Sequence, residues 1–201
     1  MNSPPDTDQL LDRVAQGEEA AAEALFTRHQ QRLRRMVHLR IDPRLGTRLD
    51  PSDVVQETLA EAHRRLDDYL RRREIPFYPW LRSIAWDRLL QLNRRHIAAE
   101  RRSVEREEGR LHLPDDSQLL LAERLASTSG SPSDQLIRSE VHDRVREAID
   151  QLPTDDHEII VLKHLEELSF HEAAAVLGIS RSAVYSRHRR AIERLHRLLN
   201  L

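Results

Sequence analysis

The chain has 201 residues, of which 33% are charged and only 4% aromatic, a size that suits one domain or two small ones with modest cores. It contains no cysteine, which excludes disulfides, thiolate metal sites and thiol catalysis. The net charge of -2 decides nothing about a nucleic-acid partner, because local segregation of charge matters more than the total.

Leu, Ala, Arg and Glu recur, Gly occurs only 5 times, and β-branched and aromatic residues are scarce, so the expected fold is all-α. Met1 to Asp8 has no basic start followed by an apolar run, and no stretch approaches the roughly 18 apolar residues that span a bilayer. The expectation is a cytoplasmic protein with no membrane segment.

A first short helix is expected over Asp8 to Ala15, ending near Gly17. A second, Glu19 to His38, carries Ala22, Leu25, Phe26, Leu33, Met36 and Val37 at helical spacing. The third has a well-marked start: Asp50 is placed to cap, Pro51 fits the first helical position, and Asp53 puts negative charge where the helix dipole favours it. It runs through Val54, Val55, Leu59, Ala62 and Leu66 to about Leu70, and Arg71-Arg72-Arg73-Glu74-Ile75-Pro76 breaks it. A fourth follows from about Pro79 to beyond Arg95, with Leu81, Ile84, Ala85, Arg88 or Leu89, and Leu92 as its buried stripe. These four helices make one domain, over residues 1–106.

Between Glu107 and Ser133 the composition turns to linker chemistry, His112-Leu113-Pro114-Asp115-Asp116 and later Ser127-Thr128-Ser129-Gly130-Ser131-Pro132-Ser133. A short helical turn over Leu119 to Leu125 is the only structure expected in this flexible, acidic linker. From Glu107 to Ser180 sixteen acids stand against six basic residues; from Arg181 to Arg197 six Arg stand against one Glu. Lys163 is the only lysine, and guanidinium suits bidentate contacts to phosphate and guanine. Ordinary solvated helix faces would carry the same charges.

The last stretch, 134–201, reads as a second small domain of four helices: one through Ile137, Val141, Val145 and Ile149, broken at Pro153, then about Asp155 to Leu165, Ser169 to Val176, and Ser180 to Leu199. Ser169 to Val184 has the layout of a helix-turn-helix. Small Ala174 lets the second helix approach, Gly178 supplies a left-handed turn, Ile179 plugs the core and Ser180 caps the next helix. At about 100 degrees per residue, Val184, Ala191, Leu195 and Leu198 share one side of that helix, and Ser182, Tyr185, Ser186, Arg189 and Arg190 lie away from it. Such a face fits a major groove, with Arg and Ser on base edges and Arg181, Arg187 and Arg194 on phosphates. An amphipathic hairpin with a charged outside is the bland alternative.

The residues Leu152-Pro153, His157 to Leu162, Leu168 to Ala174 and Val184 to Ala191 resemble region four of the sigma-70-type sigma factors of the extracytoplasmic-function (ECF) group, which reads the minus-35 promoter element. By that resemblance Arg181, Ser182, Tyr185, Ser186, Arg187, Arg189 and Arg190 face DNA. Tyr185 stands where the family often has Arg or Lys, and Arg189 where an apolar or aromatic residue is frequent. The N-terminal half matches independently. Asp50 to Thr58 resembles region two's polymerase-binding helix, in which Asp50, Asp53, Gln56 and Glu57 offer acceptors to a basic coiled coil of the polymerase β′ subunit; a solvated acidic first turn would look the same.

Phe77-Tyr78-Pro79-Trp80-Leu81-Arg82-Ser83-Ile84-Ala85 resembles the minus-10 recognition and melting segment. Rings beside cations suit stacking on unpaired bases, and the loop from Arg71 to Pro76 suits a flipped base. Arg71, Arg72, Arg73, Phe77, Tyr78, Trp80, Arg82 and Arg88 form that candidate set; Trp80 and Trp86 are alternatively core residues. Asp87 and Gln91 replace the Asn and Asp common in the family. The resemblance, which covers most of the chain, implies core RNA polymerase, through its β′ and β subunits, and promoter DNA as partners. An anti-sigma factor is common in the family, though no residue here identifies one. The linker would then thread along the polymerase, and a plain disordered tether predicts the same composition.

Eleven histidines are dispersed, and His171-Glu172 lacks a second His at zinc-hydrolase spacing, so no metal is expected. Without a phosphate loop, nucleophile elbow or Cys/His pair, neither an enzyme nor a cofactor is expected. The alternative reading is a helix-turn-helix regulator that binds DNA without acting as a polymerase subunit.

Overall fold

The computed structural model describes residues 6–41, 50–100, 113–127 and 144–199, and these contain helices and no strands. The chain divides into two units, Met1–His112 and Leu113–Leu201.

In the first unit, α1 (Thr7–Ala15) starts on a capping box: Asp6 accepts from the Gln9 backbone N–H and the Gln9 side chain accepts from that of Asp6. Two orphan donors are thereby satisfied at once. Gly17, at φ 87, turns the chain into α2 (Glu19–Arg40). α3 (Pro51–Arg72) begins as expected, with Asp50 accepting from Ser52 N at 2.8 Å. It overruns the expected end at Leu70 because Arg73 closes it in the left-handed region, φ 41, with its N–H on Tyr69 O and its guanidinium on Asp12 at 2.9 Å.

α4 (Phe77–Glu100) starts two residues before the expected Pro79, which sits harmlessly in the first turn, where a backbone N–H has no intrahelical acceptor and proline's lack of one costs nothing. α2 packs against α1, α3 and α4, and α3 against α4. The core between them holds Leu25, Leu33, Met36, Val55, Ala62, Leu66, Leu81, Ala85 and Leu89. Of the two candidates for the α4 stripe, Leu89 is buried and Arg88 is not.

The second unit contains a helix where only a turn was expected. α5 (Asp115–Ser127) is 13 residues long and packs against the later helix Thr154–His164. Leu113, Leu121 and Ala122 are buried, Gln118 Nε2 donates to Leu113 O, and Arg124 donates to the carbonyl of His164 and pairs with Glu167. Asp115 and Asp116 in its first turn complement the helix dipole. Residues 144–150 form α6, followed by α7 (Thr154–His164), α8 (Phe170–Leu177) and α9 (Arg181–Leu199). The remaining parts of the expected linker, 107–112 and 128–133, and the expected positions Ile137 and Val141 lie outside the described residues.

Candidate nucleic-acid interface

α8 and α9 are joined by a tightly specified turn. Ser169 accepts from Glu172 N while Glu172 accepts from Ser169 N at 2.8 Å, a capping box that fixes the first turn of α8. Gly178 stands at φ 64 with its N–H on Ala174 O, and Ser180 Oγ accepts from Ala183 N at 3.2 Å to cap α9. A left-handed residue costs glycine little and a β-carbon-bearing residue more. Ile179, expected in the core, is only half-buried.

α9 buries a narrow stripe, Val184, Ala191 and Leu195; Leu198, expected on it, is exposed. The opposite face carries Arg181, Ser182, Tyr185, Ser186, Arg189 and Arg190, all exposed. Arg187 instead turns back to Asp155 at 3.3 Å, and Arg194, expected on phosphate, pairs with the buried carboxylate of Asp156. Both arginines thus tie α9 to α7 rather than standing free for a backbone contact. At the α7–α9 contact His164 and His188 hold their Nε2 atoms 3.0 Å apart. Burial first, then the neighbouring His188, Lys163 and Arg124, push His164 down to about 4, and burial and Lys163 lower His188.

In the first unit the candidates separate. Phe77 and Tyr78 are 2% exposed and Arg82 4%, so these three are core residues and leave the base-stacking set. The reason is geometric: the first turn of α4 points into the bundle, where Phe77 meets Phe26, His29, Tyr69 and Trp80 ring to ring, and Tyr78 OH donates to Arg32 O at 3.3 Å beneath the Arg32 guanidinium. Trp80 is half-buried and stacked on Tyr69 at 4.6 Å. Trp86 has the Arg40 and Arg82 guanidinium groups each 5.2 Å from its ring and packs half-buried against the core. Tyr69 OH donates to Ile75 O at 3.0 Å, and burial pushes its phenol up to about 12.

Arg71, Arg72 and Arg73 are exposed at the α3–α4 loop; Arg71 pairs with Asp68 and Arg73 with Asp12. On α3, Asp53, Gln56 and Glu57 are exposed on one face. Asp50 spends its carboxylate on the cap, and the Ser52 hydrogen bonds hold it below the usual carboxylate range. Glu57 reaches Arg88 of α4 across a groove of about 430 Å³ whose walls include Glu61, Arg64, Arg65 and Asp87. Phe170, His164, His188, Asp155 and Asp156 are brought together around α9 only through tertiary contacts and carried no assigned role in the sequence. Only the Ser169-x-x-Glu172 box had a readable signal.

Comparison with known proteins places this geometry. Residues 25–99 match the model described as Sigma-70 region 2, and residues 142–195 match Sigma-70, region 4. The ECF RNA polymerase sigma-E factor of Haemophilus influenzae is 30% identical over 188 residues, 93% of this chain and 92% of the relative. The chain belongs to the ECF sigma factors. The Escherichia coli K12 sigma-E factor is likewise 30% identical, over 193 residues, 93% of this chain and 91% of that one. CnrH, solved in complex with the cytosolic domain of CnrY, shares 28% identity with a TM-score of 0.53, covering 97% of this chain and 98% of that one. As an ECF sigma factor the protein directs transcription initiation, and the reading as a regulator apart from polymerase is not favoured. The region-four match covers α7 and α8 and runs into α9 as far as Leu195, and the region-two match runs from within α2 through α3 to α4.

Proposed function

We propose that α9 enters the major groove of the minus-35 element, with Ser182, Tyr185, Ser186, Arg189 and Arg190 toward base edges and Arg181 toward phosphate, while the α3 face of Asp53, Gln56 and Glu57 meets a basic coiled coil of the polymerase β′ subunit. The observation that carries this reading is the exposed, Arg-bearing face of α9 immediately after a capped left-handed turn. Arg187 reaches phosphate only by leaving Asp155. Likewise a basic partner of Glu57 competes with Arg88. For the minus-10 element the exposed groups are Arg71, Arg72 and Arg73, with half-buried Trp80 at their edge and Arg88 behind Glu57. The two binding activities divide between the two units, and the bond-making chemistry belongs to the polymerase.

No helix among the described residues is long and apolar enough to cross a membrane, which with the polymerase partnership supports a place in the cytoplasm. CnrH is held by another protein's cytosolic domain, and that supports a sequestering partner of the anti-sigma kind here.

Run-off transcription with purified core polymerase and a promoter library tests the reading. Wild-type protein selects a defined upstream element, Arg190→Ala weakens its recognition by about 1–3 kcal/mol, the scale of a good base contact, and Glu57→Lys impairs holoenzyme assembly while the protein stays folded. Unchanged promoter preference in the first variant, or normal assembly in the second, removes the corresponding assignment.

A further inference from the structure

One large apolar ring stands out on the polar face of α9. Tyr185 is 57% exposed, one turn from Ser182 and Arg189 and among cations, where a charged side chain would be the expected occupant of a surface helix. It is not loose. Its ring meets Phe170 edge to face, centroids 5.5 Å apart at 67°. Phe170 is itself held by two further side chains: Lys163 of α7 lies 4.2 Å above its ring, and the His188 ring of α9 stands 5.5 Å away at 76°. The capping box of Ser169 and Glu172 fixes the backbone on which Phe170 sits. Three helices therefore brace a phenol that projects to solvent.

We propose that Tyr185, braced by Phe170, selects a thymine in the element that α9 reads. The inference rests on the placement of α9 in the major groove given above. In that groove the apolar group displayed by a base pair is the C5-methyl of thymine, whereas guanine presents two acceptors that call for a guanidinium fork or an ammonium. A phenol offers no such fork. It offers a flat apolar face with one hydroxyl, and because the brace fixes the ring beforehand, little side-chain freedom is lost on contact. The neighbouring Arg181, Arg189 and Arg190 remain for phosphate and guanine, so the position of Tyr185 departs from its surroundings in chemistry as well as in exposure. Phe170 acts as a positioning residue.

The test replaces each thymine of the selected upstream element, one at a time, with deoxyuridine, which removes only the methyl, and measures initiation by the holoenzyme. At one position the wild type loses about fourfold, the worth of one buried methyl. Tyr185→Ala is indifferent to the same replacement, Tyr185→Arg prefers guanine there, and Phe170→Leu reduces discrimination between thymine and uracil while keeping dependence on the rest of the element. Should Phe170→Leu fail to fold, the two substitutions at exposed Tyr185 carry the test unaided. Indifference of the wild type to uracil at every position overturns the thymine assignment, as does a Tyr185→Ala variant that weakens all sequences equally. A wild-type holoenzyme that ignores the entire upstream element overturns the major-groove placement and the thymine assignment together; one that depends on the element but not on its methyls overturns the latter alone.

Discussion

The two units treat the same sequence signature, an aromatic residue close to Arg, in opposite ways. In the first unit Phe77, Tyr78 and Arg82 are pulled into the bundle; in the second, Tyr185, Arg189 and Arg190 stay outside. The two helices, α4 and α9, each pack on two others, and the cause is which face those neighbours enclose. α4 begins between α2 and α3, so the rings of its first turn meet Phe26, His29 and Tyr69, whereas α9 packs on α7 and α8 along a stripe of only three buried residues. Nearness of ring and cation along the chain does not settle which faces water. Enclosure by other helices does.

The strongest way to break this contrast is Phe77→Ala. Truncating a ring at the centre of an aromatic cluster leaves a cavity, and the first unit should lose about 3–5 kcal/mol, read as a lower urea midpoint in the purified protein. Full stability with a selective loss of promoter opening would return Phe77 to the DNA-facing set.

The start of α3 and the helix-turn-helix were legible because their signals are local. Asp50-Pro51, Gly178 and Ser180 act within a turn of themselves, and each stands where the spacing puts it. What was not legible depends on distant partners. Nothing near Tyr78 in the sequence announces that Arg32 will cover it, and nothing near Arg194 announces Asp156, 38 residues earlier. α5 was expected only as a turn over Leu119 to Leu125 for a related reason: its short apolar run sits among acidic and Ser-rich residues and reads as linker until α7 packs against it and Leu121 and Ala122 are buried. The fold class needs only periodicity, while the roles of individual Arg residues need tertiary geometry.

A sharper measure of how α9 is held comes from Arg194→Met. The Asp156 carboxylate is 4% exposed and loses its cation, which for a fully buried pair costs about 3–5 kcal/mol; with the Arg194 side chain 40% exposed, about 2 kcal/mol is expected. Adding Asp156→Asn recovers part of the loss. A change in urea midpoint too small to measure would mean that the apolar stripe alone anchors the recognition helix.

The smallest effect concerns the histidine pair beneath that helix. With Nε2 atoms 3.0 Å apart, one neutral ring donates to the other, and a proton on both would set two cations beside Lys163 and Arg124. Because folding lowers both groups, the unfolded chain binds protons first as pH falls. Their contribution is therefore fully present above about pH 6.5, the unfolded value, and is lost progressively toward about 4, the folded value of His164. Between pH 7 and pH 6 the second unit should weaken by roughly 1 kcal/mol or less, since both rings keep contact with water that screens them. Urea titrations across this range should show the slope in the wild type and a shallower one in His188→Phe, which keeps a ring against Phe170 without a titratable partner for His164. A slope untouched by that substitution would place the proton uptake elsewhere, and the tie between α9 and α7 would then rest on Arg194, Arg187 and the buried stripe.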